Sequence, residues 1–291
     1  MPNLATYNNT NAVLKKHNFH FRKKYGQNFL IDTHIIDKIL QAAHVDKEDF
    51  VLEIGPGIGT LTQALCENAK TVLAVEIDKD LIPILEDTLQ DYDNLTLINQ
   101  DVLKLNLMQV IQEQNNGRPI KVVANLPYYI TTPILMELLE SKLPVESITV
   151  MVQTEVAQRI QIGPGSKEYG ALSLAVQYYA EPRLITHVSP GCFLPKPNVG
   201  SAVLHLQIHD TPPVSVADEQ LMFRLIRASF QQRRKTLANS ISNAEGLFIS
   251  KEVTYRALKE MGLSESVRGE ALGLVEFADL SNRLSSDTVY A

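Results

Sequence analysis

The sequence predicts an α/β fold, in which a sheet of seven mostly parallel strands is followed by an all-helical region. Short apolar segments alternate with helical segments as far as residue 208. Strands separated by helices of this length pair in parallel through right-handed crossovers. Beyond Pro212 and Pro213, which interrupt both helix and strand, the pattern predicts four helices and no strand. A domain junction is therefore expected near residue 211.

The individual elements follow from hydrophobic periodicity and turn signals. A helical stripe is predicted over Phe29–Ala43, and the segment before it lacks any apolar run. We expect a disordered lead-in over residues 1–18, an α/β domain over 19–210 and a small helical domain over 211–291. The strands are predicted at residues 51–54, 71–77, 95–98, 121–124, 147–153, 184–188 and 202–208.

The composition excludes several classes of protein. No window approaches 18 uninterrupted apolar residues, and the N-terminus lacks the apolar core of a secretory signal. Two cysteines in 291 residues are typical of a reducing cytosol, and neither has metal-ligand spacing. We therefore expect a cytoplasmic monomer with no membrane or metal partner.

The charge is unevenly distributed along the chain. The net charge is −6, yet residues 1–31 and residues 221–240 each hold five basic residues and no acid. Such basic segments are typical of contacts with phosphates. Solvated basic faces near helix ends explain either segment equally well when it is considered alone.

The predicted site is organised around the segment Val51–Gly59. An apolar strand runs into Gly55, Gly57 and Gly59, and a helix follows with Thr60 as its expected N-cap. Glycines adopt φ angles that other residues avoid and let the backbone approach a ligand. The pattern favours a nucleoside-containing cofactor at the carboxyl edge of the sheet. An ordinary tight turn is the alternative.

Acidic residues follow the next two predicted strands. Glu76 ends the second strand, where an acid is placed to accept hydrogen bonds from both hydroxyls of a ribose. Asp101 follows the third strand, where a carboxylate can accept from an adenine amino group or cap the next helix. Position alone favours neither interpretation of Asp101.

The fourth predicted strand ends in Asn125-Leu126-Pro127-Tyr128. The Asn125 side-chain oxygen and the Leu126 carbonyl, held rigid by Pro127, offer two acceptors aimed at one point. Such a pair fits an exocyclic amino group, which has two hydrogens to donate. Tyr128 is placed to stack on a base. A simple turn after a strand is the alternative, because Asn and Pro favour turns.

Several motifs follow one another in a set order along the chain. They are Gln27-Asn28-Phe29-Leu30, Glu53-Ile54-Gly55-Pro56-Gly57, Glu76, Asp101, Asn125-Leu126-Pro127-Tyr128 and Phe193–Ser201. In this order they resemble the motifs of the ribosomal RNA adenine dimethyltransferase family, most of all its bacterial small-subunit members. The resemblance implies a Rossmann-like class I methyltransferase fold with helices on both faces of the sheet, and S-adenosylmethionine as methyl donor. The implied acceptor is N6 of two adjacent adenines in one loop of 16S rRNA, within a small ribosomal subunit under assembly.

The resemblance further implies roles for single residues. Tyr128 and Phe193 would sandwich an extruded target adenine, and Asn125 would lie between donor and target. Leu126 would supply its carbonyl to the same amino group. The implied cofactor residues are Asn28, Leu30, Gly55, Gly57, Glu76, Asp101 and Asn125. The residues expected to hold rRNA phosphates are Arg22, Lys23, Lys24, Arg233, Arg234 and Lys235.

Two other functions compete with this one. A nicotinamide-dependent dehydrogenase would use the glycine turn and Glu76, but Thr60 stands where dinucleotide folds have their third glycine. A non-enzymatic RNA-binding assembly factor would retain the fold without needing the cofactor and target-base residues. Comparing the binding of NAD and S-adenosylmethionine separates the first of these from a methyltransferase.

Overall fold

Within residues 3–285, the part of the chain that the computed structural model describes, nine strands and twelve α-helices form. The strands are β1 (Phe29–Leu30), β2 (Phe50–Ile54), β3 (Thr71–Glu76), β4 (Leu95–Asn99), β5 (Ile120–Asn125), β6 (Val145–Gln153), β7 (Ala180–Val188), β8 (Phe193–Leu194) and β9 (Ser201–Ile208). The helices are α1 (Tyr7–Lys16), α2 (Thr33–Ala43), α3 (Thr60–Asn68), α4 (Ile82–Thr88), α5 (Leu107–Asn115), α6 (Thr131–Glu140), α7 (Thr154–Gln161), α8 (Ala171–Tyr179), α9 (Glu219–Gln231), α10 (Leu237–Ser242), α11 (Lys251–Glu260) and α12 (Leu274–Ser285). Short 3-10 helices form at Lys23–Tyr25, Val102–Lys104, Pro190–Cys192 and Gly269–Ala271.

Seven of the strands form one sheet, which is the number that the sequence predicts, and their order is β4-β3-β2-β5-β6-β9-β7. The pairs β3–β4, β2–β3, β2–β5 and β5–β6 are parallel, whereas β9 is antiparallel to β6. The strand order reverses between β2 and β5, so the carboxyl ends of these strands border a crevice. β1 and β8 pair separately as a short antiparallel ribbon.

Both faces of the sheet are buried. On one face, Val51, Val72 and Val123 pack in a cluster with residues of α2 and α3. The residues that alternate with them, including Leu52 and Leu73, are fully buried on the other face. Burial on both sides explains why these strands are nearly continuous apolar runs in the sequence.

The chain divides into two compact units. One comprises the described residues up to Ala157 together with Pro182–Ile208, and the other comprises Gln158–Glu181 together with the described residues from His209 onward. The last boundary, between Ile208 and His209, lies within two residues of the predicted junction at 210 and 211. The predicted domain 19–210 nevertheless includes Gln158–Glu181, which belongs to the helical unit.

Hydrogen bonds hold that inserted segment within the helical unit. The Tyr179 hydroxyl donates to Glu219 (2.6 Å), and its ring stacks on Phe223 with centroids 5.4 Å apart. The Tyr169 hydroxyl donates to the Leu272 carbonyl (3.0 Å). In the same unit, α9 packs against α8, α10 and α12. The last helix begins at Leu274, after a separate 3-10 turn at Gly269–Ala271.

The prediction of a disordered lead-in over residues 1–18 is wrong for its described part, which contains α1. Thr6 caps this helix by accepting a hydrogen bond from the Asn9 N–H. Leu4 and Leu14 are buried, and the Leu4 N–H donates to the Gln63 side chain (3.0 Å). Few apolar residues are involved, so periodicity did not reveal the helix. Farther along, Phe29 and Leu30 form β1 rather than the first turn of the predicted helix over 29–43.

None of the helices formed by residues 3–285 combines the length and apolar character that crossing a membrane requires.

Candidate active site

A cavity opens at the carboxyl ends of β2, β3 and β5, where the strand order reverses. It contains about 960 Å³ of empty space, part of it open to solvent. The structure brings together here all the residues predicted to bind the cofactor, and also Leu126 and Tyr128. The predicted residues that line the cavity are Asn28, Leu30, Gly55, Gly57, Glu76, Asp101, Asn125, Leu126 and Tyr128.

The turn after β2 needs its glycines for two reasons. Gly55 and Gly57 have φ of 71° and 64°, in the left-handed region that favours glycine. A Cβ on Gly57 would lie 2.9 Å from the Phe29 ring, so a side chain there would displace the wall of the cavity. The predicted N-cap role of Thr60 is wrong, because Thr60 is the first residue of α3. The N-cap of α3 is Gly59, which has no side chain to accept a hydrogen bond from the first turn.

Glu76 is held by the backbone around it. Its carboxylate accepts hydrogen bonds from the Asp78 N–H (2.8 Å) and the Gly57 N–H (3.3 Å). Burial raises the pKa of Glu76 to about 7, and these backbone donors oppose the rise. The glycine turn and the carboxylate at the end of β3 are therefore one hydrogen-bonded unit.

Glu53 is a second buried carboxyl group in the cavity wall. It is 1% exposed, and its Oε2 has no hydrogen-bond partner among the described residues. Burial raises the pKa of Glu53 to about 8; the Thr62 hydroxyl lowers this pKa and the Glu76 carboxylate raises it further. Glu53 belongs to one of the motifs quoted from the sequence, but no role was predicted for it.

Asp101 caps a helix, as one interpretation of its position predicted, and it also faces the cavity. It caps the 3-10 helix Val102–Lys104 by accepting from the Leu103 N–H (3.1 Å), and it also lines the cavity. Its proposed contact with an adenine amino group stays a prediction.

Asn125 has a fixed orientation at the end of β5. Its Nδ2 donates to the Asn28 main-chain carbonyl (3.1 Å), which directs the Oδ1 atom elsewhere as an acceptor. Asn28 in turn donates its own side-chain amide to the Gly26 carbonyl (2.9 Å). The main-chain N–H of the next residue, Leu126, donates to the Met151 carbonyl (3.1 Å). The two predicted acceptors are thus positioned by β6 and by the segment around Asn28.

Tyr128 is fixed by its hydroxyl, which lies 2.6 Å from the Ser201 hydroxyl at the start of β9. Burial raises the pKa of Tyr128, and Ser201 partly lowers it again. This bond holds the ring in one orientation at the cavity wall, as a stacking surface requires.

Phe193 does not lie in the cavity. It belongs to β8, where it pairs with Leu30, and it is 3% exposed within the core cluster on the α2 side of the sheet. The predicted sandwich of a base between Tyr128 and Phe193 is therefore not formed in this structure. The motif Phe193–Ser201 reaches the site through Ser201 instead.

Two of the predicted phosphate-binding residues are engaged within the protein. Arg22 forms ion pairs with Asp78 (3.4 Å) and with Asp80. Arg233 donates to the main-chain carbonyls of Lys167 and Tyr169 and lies against the Phe230 ring. Both are thereby less available to phosphates than their sequence context suggested.

The other basic residues differ in their surroundings. The Lys24 ammonium lies 4.3 Å from the centre of the Tyr25 ring. Arg234 and Lys235 are exposed, as an RNA contact requires. The Lys23 side chain lies outside the described part of the structure.

Family comparison places this geometry in context. The model of the family described as "Ribosomal RNA adenine dimethylase" matches residues 18–279. The chain belongs to the ribosomal RNA adenine dimethylase family. The resemblance inferred from the motifs, and with it the predicted activity of an rRNA adenine dimethyltransferase, is confirmed.

Individual relatives agree with this family. The chain is 60% identical over 274 residues to "Ribosomal RNA small subunit methyltransferase A" of Lachnoclostridium phytofermentans, covering 94% of each chain. It is 48% identical over 286 residues to the protein of that name from Clostridioides difficile, covering 98% of each chain.

Solved structures confirm the methyltransferase fold of this dimethylase. A dimethyladenosine transferase from Plasmodium falciparum superposes with a TM-score of 0.72 at 24% identity, covering 89% of this chain and 98% of that chain. The 23S rRNA methyltransferase ErmE gives a TM-score of 0.64 at 25% identity, with 89% and 100% covered.

Two further residues of this dimethylase, one in the cavity wall and one hydrogen-bonded to Glu76, were not predicted from the sequence. Tyr129 lines the cavity with its side chain about half exposed, and its ring covers Gly26. Asp78 is fully buried and contacts residues from the N-terminal segment. The only signal for Asp78 in the sequence is its place two residues after Glu76. Its partners Arg22 and Gln27 are more than 50 residues away along the chain.

Proposed function

We propose that this dimethylase transfers methyl groups from S-adenosylmethionine to N6 of two adjacent adenines in one loop of 16S rRNA. It would do so on a small ribosomal subunit under assembly, in the cytoplasm, and so contribute to subunit biogenesis. The names of relatives 48–60% identical to this chain support the small-subunit target.

The orientation of Asn125 supports this chemistry most strongly. Because Nδ2 donates to the Asn28 carbonyl, Oδ1 remains to act as an acceptor, and Asn125 and the adjacent Leu126 both line the cavity. Two acceptors match the two hydrogens of an exocyclic amino group. A nicotinamide-dependent oxidoreductase has no need for this arrangement.

The chemistry of the cavity wall fits the proposed methyl donor. Among the described residues, the lining includes the carboxyl groups of Glu53, Glu76 and Asp101, but no Lys, Arg or His. Buried carboxylates favour a ligand that brings hydroxyl donors and positive charge. S-adenosylmethionine carries a ribose, an ammonium and a sulfonium. The buried Oε2 atom of Glu53, which has no hydrogen-bond partner among the described residues, could accept a hydrogen bond from the ribose or the ammonium.

The chain's own residues would orient and stabilise the reacting amine. When bound, S-adenosylmethionine supplies a methyl group that its sulfonium has already activated. Accepting the N6 hydrogens at Asn125 and Leu126 concentrates electron density on the nitrogen lone pair and stabilises the positive charge that develops. Tyr128 would hold the base by stacking. A strong general base is unnecessary, because a methylated adenine ammonium is acidic and loses its proton to water.

Substitution of Asn125 tests this role. Asn125→Ala should leave the affinity for S-adenosylhomocysteine, the demethylated donor, within a few fold, and should lower methyl incorporation into small-subunit rRNA by on the order of 10²-fold or more. Calorimetry and radiolabelled methyl transfer give the two values. Asn8→Ala, exposed on α1, is the matched control.

Two results would contradict the proposal. Near-wild-type methyl transfer by Asn125→Ala would remove the role of the two acceptors. Calorimetric binding of NAD, without binding of S-adenosylmethionine, would instead favour the dehydrogenase.

A further inference from the structure

The N-terminal strap, which we define as residues 22–30, forms part of the cavity wall. Gln27, Asn28 and Leu30 line the cavity from this strap. Its regular backbone pairing is short, because β1 contains two residues. Side-chain contacts must therefore contribute much of what holds the strap in place.

Asp78 supplies several of those contacts. Its Oδ2 accepts from the Gln27 side-chain amide (2.7 Å), and its Oδ1 lies 3.4 Å from the Arg22 guanidinium. The Gln27 side-chain oxygen accepts from the main-chain N–H of Arg22 (2.8 Å), so that Asp78, Gln27 and Arg22 each contact the other two. Arg22 also pairs with Asp80. The turn after β3 thus contacts both ends of the segment from Arg22 to Gln27.

The same residue touches the proposed donor site. The Asp78 N–H donates to Glu76 Oε1 (2.8 Å), on the carboxylate expected to hold the ribose. Asp78 is 0% exposed, so its carboxyl oxygens have these protein partners in place of water. Removing one partner of such a buried group destabilises the arrangement more than removing an exposed pair would.

We propose that Asp78 is a positioning residue that fastens the strap over the donor cavity and couples it to Glu76. Loss of these contacts should therefore speed the release of donor and product. Arg22 serves this contact rather than an rRNA phosphate. The proposal rests on the proposed function in one respect, namely that the cavity binds S-adenosylmethionine.

The test compares Asp78→Asn, Arg22→Gln, Gln27→Ala and the double variant Asp78→Asn with Arg22→Gln. Lys15→Gln is the control, because Lys15 is exposed in the same basic segment of the sequence. Three quantities are measured: the dissociation rate constant of S-adenosylhomocysteine, amide hydrogen exchange in the strap, and the affinity for small-subunit rRNA at several salt concentrations.

We expect each single variant to raise the dissociation rate constant about tenfold and to speed exchange in the strap but not in β2 or β5. The double variant should be little worse than the worse single variant, because the residues act as one unit. Donor KM should rise in each single variant. Lys15→Gln should change none of these, and Arg22→Gln should leave rRNA affinity unchanged.

The proposal is overturned if Arg22→Gln lowers rRNA affinity and its salt dependence while dissociation and strap exchange stay at wild-type values. Additive effects of Asp78→Asn and Arg22→Gln would also overturn it. Strap exchange in the free protein needs no ligand, so it tests the contact even if S-adenosylhomocysteine fails to bind. That failure would count against the proposed function instead. Should Asp78→Asn not fold, Arg22→Gln and Gln27→Ala still decide the outcome.

Discussion

At the scale of single residues, the two buried carboxyl groups of the cavity make stability depend on pH. Burial raises the pKa of Glu76 from 4.5 to about 7 and that of Glu53 from 4.5 to about 8. The folded protein therefore holds protons that the unfolded chain has released. Its free energy of unfolding contains a contribution that is present below pH 4.5 and is lost as the pH rises to about 8.

A donor that brings hydroxyl and ammonium groups should favour the ionised carboxylates. We therefore expect S-adenosylhomocysteine to bind more tightly as the pH rises from about 6 to 8, with release of protons. Calorimetry in buffers of different ionisation enthalpy measures that release. Glu76→Gln should reduce it, and Glu76→Ala should weaken binding by roughly 1.5–3 kcal/mol. Affinity that is independent of pH in this range would contradict the linkage.

The sequence predicted these site residues unevenly. Glu76, Asp101 and Asn125 were predictable because polar residues stood at the ends of apolar runs. Phe193 was not, because a motif does not tell which way a side chain in a short strand faces. Asp78 was not predicted, because its proposed positioning role depends on contacts with Arg22 and Gln27, which spacing within one motif cannot reveal.

At the scale of elements, α1 is expected to stabilise the first unit. Leu14 on this helix packs in a cluster with Phe29, whose ring also borders Gly57, and with residues of α4. Leu14→Ala should lower the free energy of unfolding by about 2–4 kcal/mol, the usual cost of a core cavity. Urea unfolding measures the change.

Tyr7 on the same helix provides the control, because it is 54% exposed. Tyr7→Ala should change the free energy of unfolding by no more than about 0.5 kcal/mol. Equal effects of the two substitutions would mean that α1 does not pack as the structure shows.

The strands of the sheet and the last boundary between the units were predictable, whereas the assignment of Gln158–Glu181 to the helical unit was not. Buried parallel strands are long apolar runs, and turns separate them clearly. The assignment of Gln158–Glu181 to the helical unit depends on Tyr169, Tyr178 and Tyr179, whose partners lie 40 to 103 residues away. Hydrophobic periodicity carries no signal of such contacts.

At the scale of the whole molecule, a net charge of −6 has to be reconciled with a polyanionic substrate. Arg234 and Lys235 remain exposed, whereas Arg233 is bound to main-chain carbonyls of its own unit. The double variant Arg234→Glu with Lys235→Glu should flatten the salt dependence of rRNA binding. The plot of the logarithm of the binding constant against the logarithm of the salt concentration has a negative slope. The magnitude of that slope should decrease by roughly 0.7–0.9 for each phosphate that the variant no longer neutralises.

Arg233→Ala should act differently, mainly by lowering stability. Lys259→Glu, exposed at the end of α11, is the control outside the basic segment and makes half the change in net charge of the double variant. If Lys259→Glu flattened the salt dependence as much as the double variant, the basic segment would have no special role.

The measurement that bears most directly on the proposed function is the mapping of dimethylated adenines in small-subunit rRNA. The rRNA would come from cells with the gene, without it, and with only the Asn125→Ala form. We expect two adjacent N6,N6-dimethyladenosines in one loop of 16S rRNA in the first case, and neither in the other two. Finding the pair intact without the gene, or finding the loss in large-subunit rRNA instead, would contradict the proposed function.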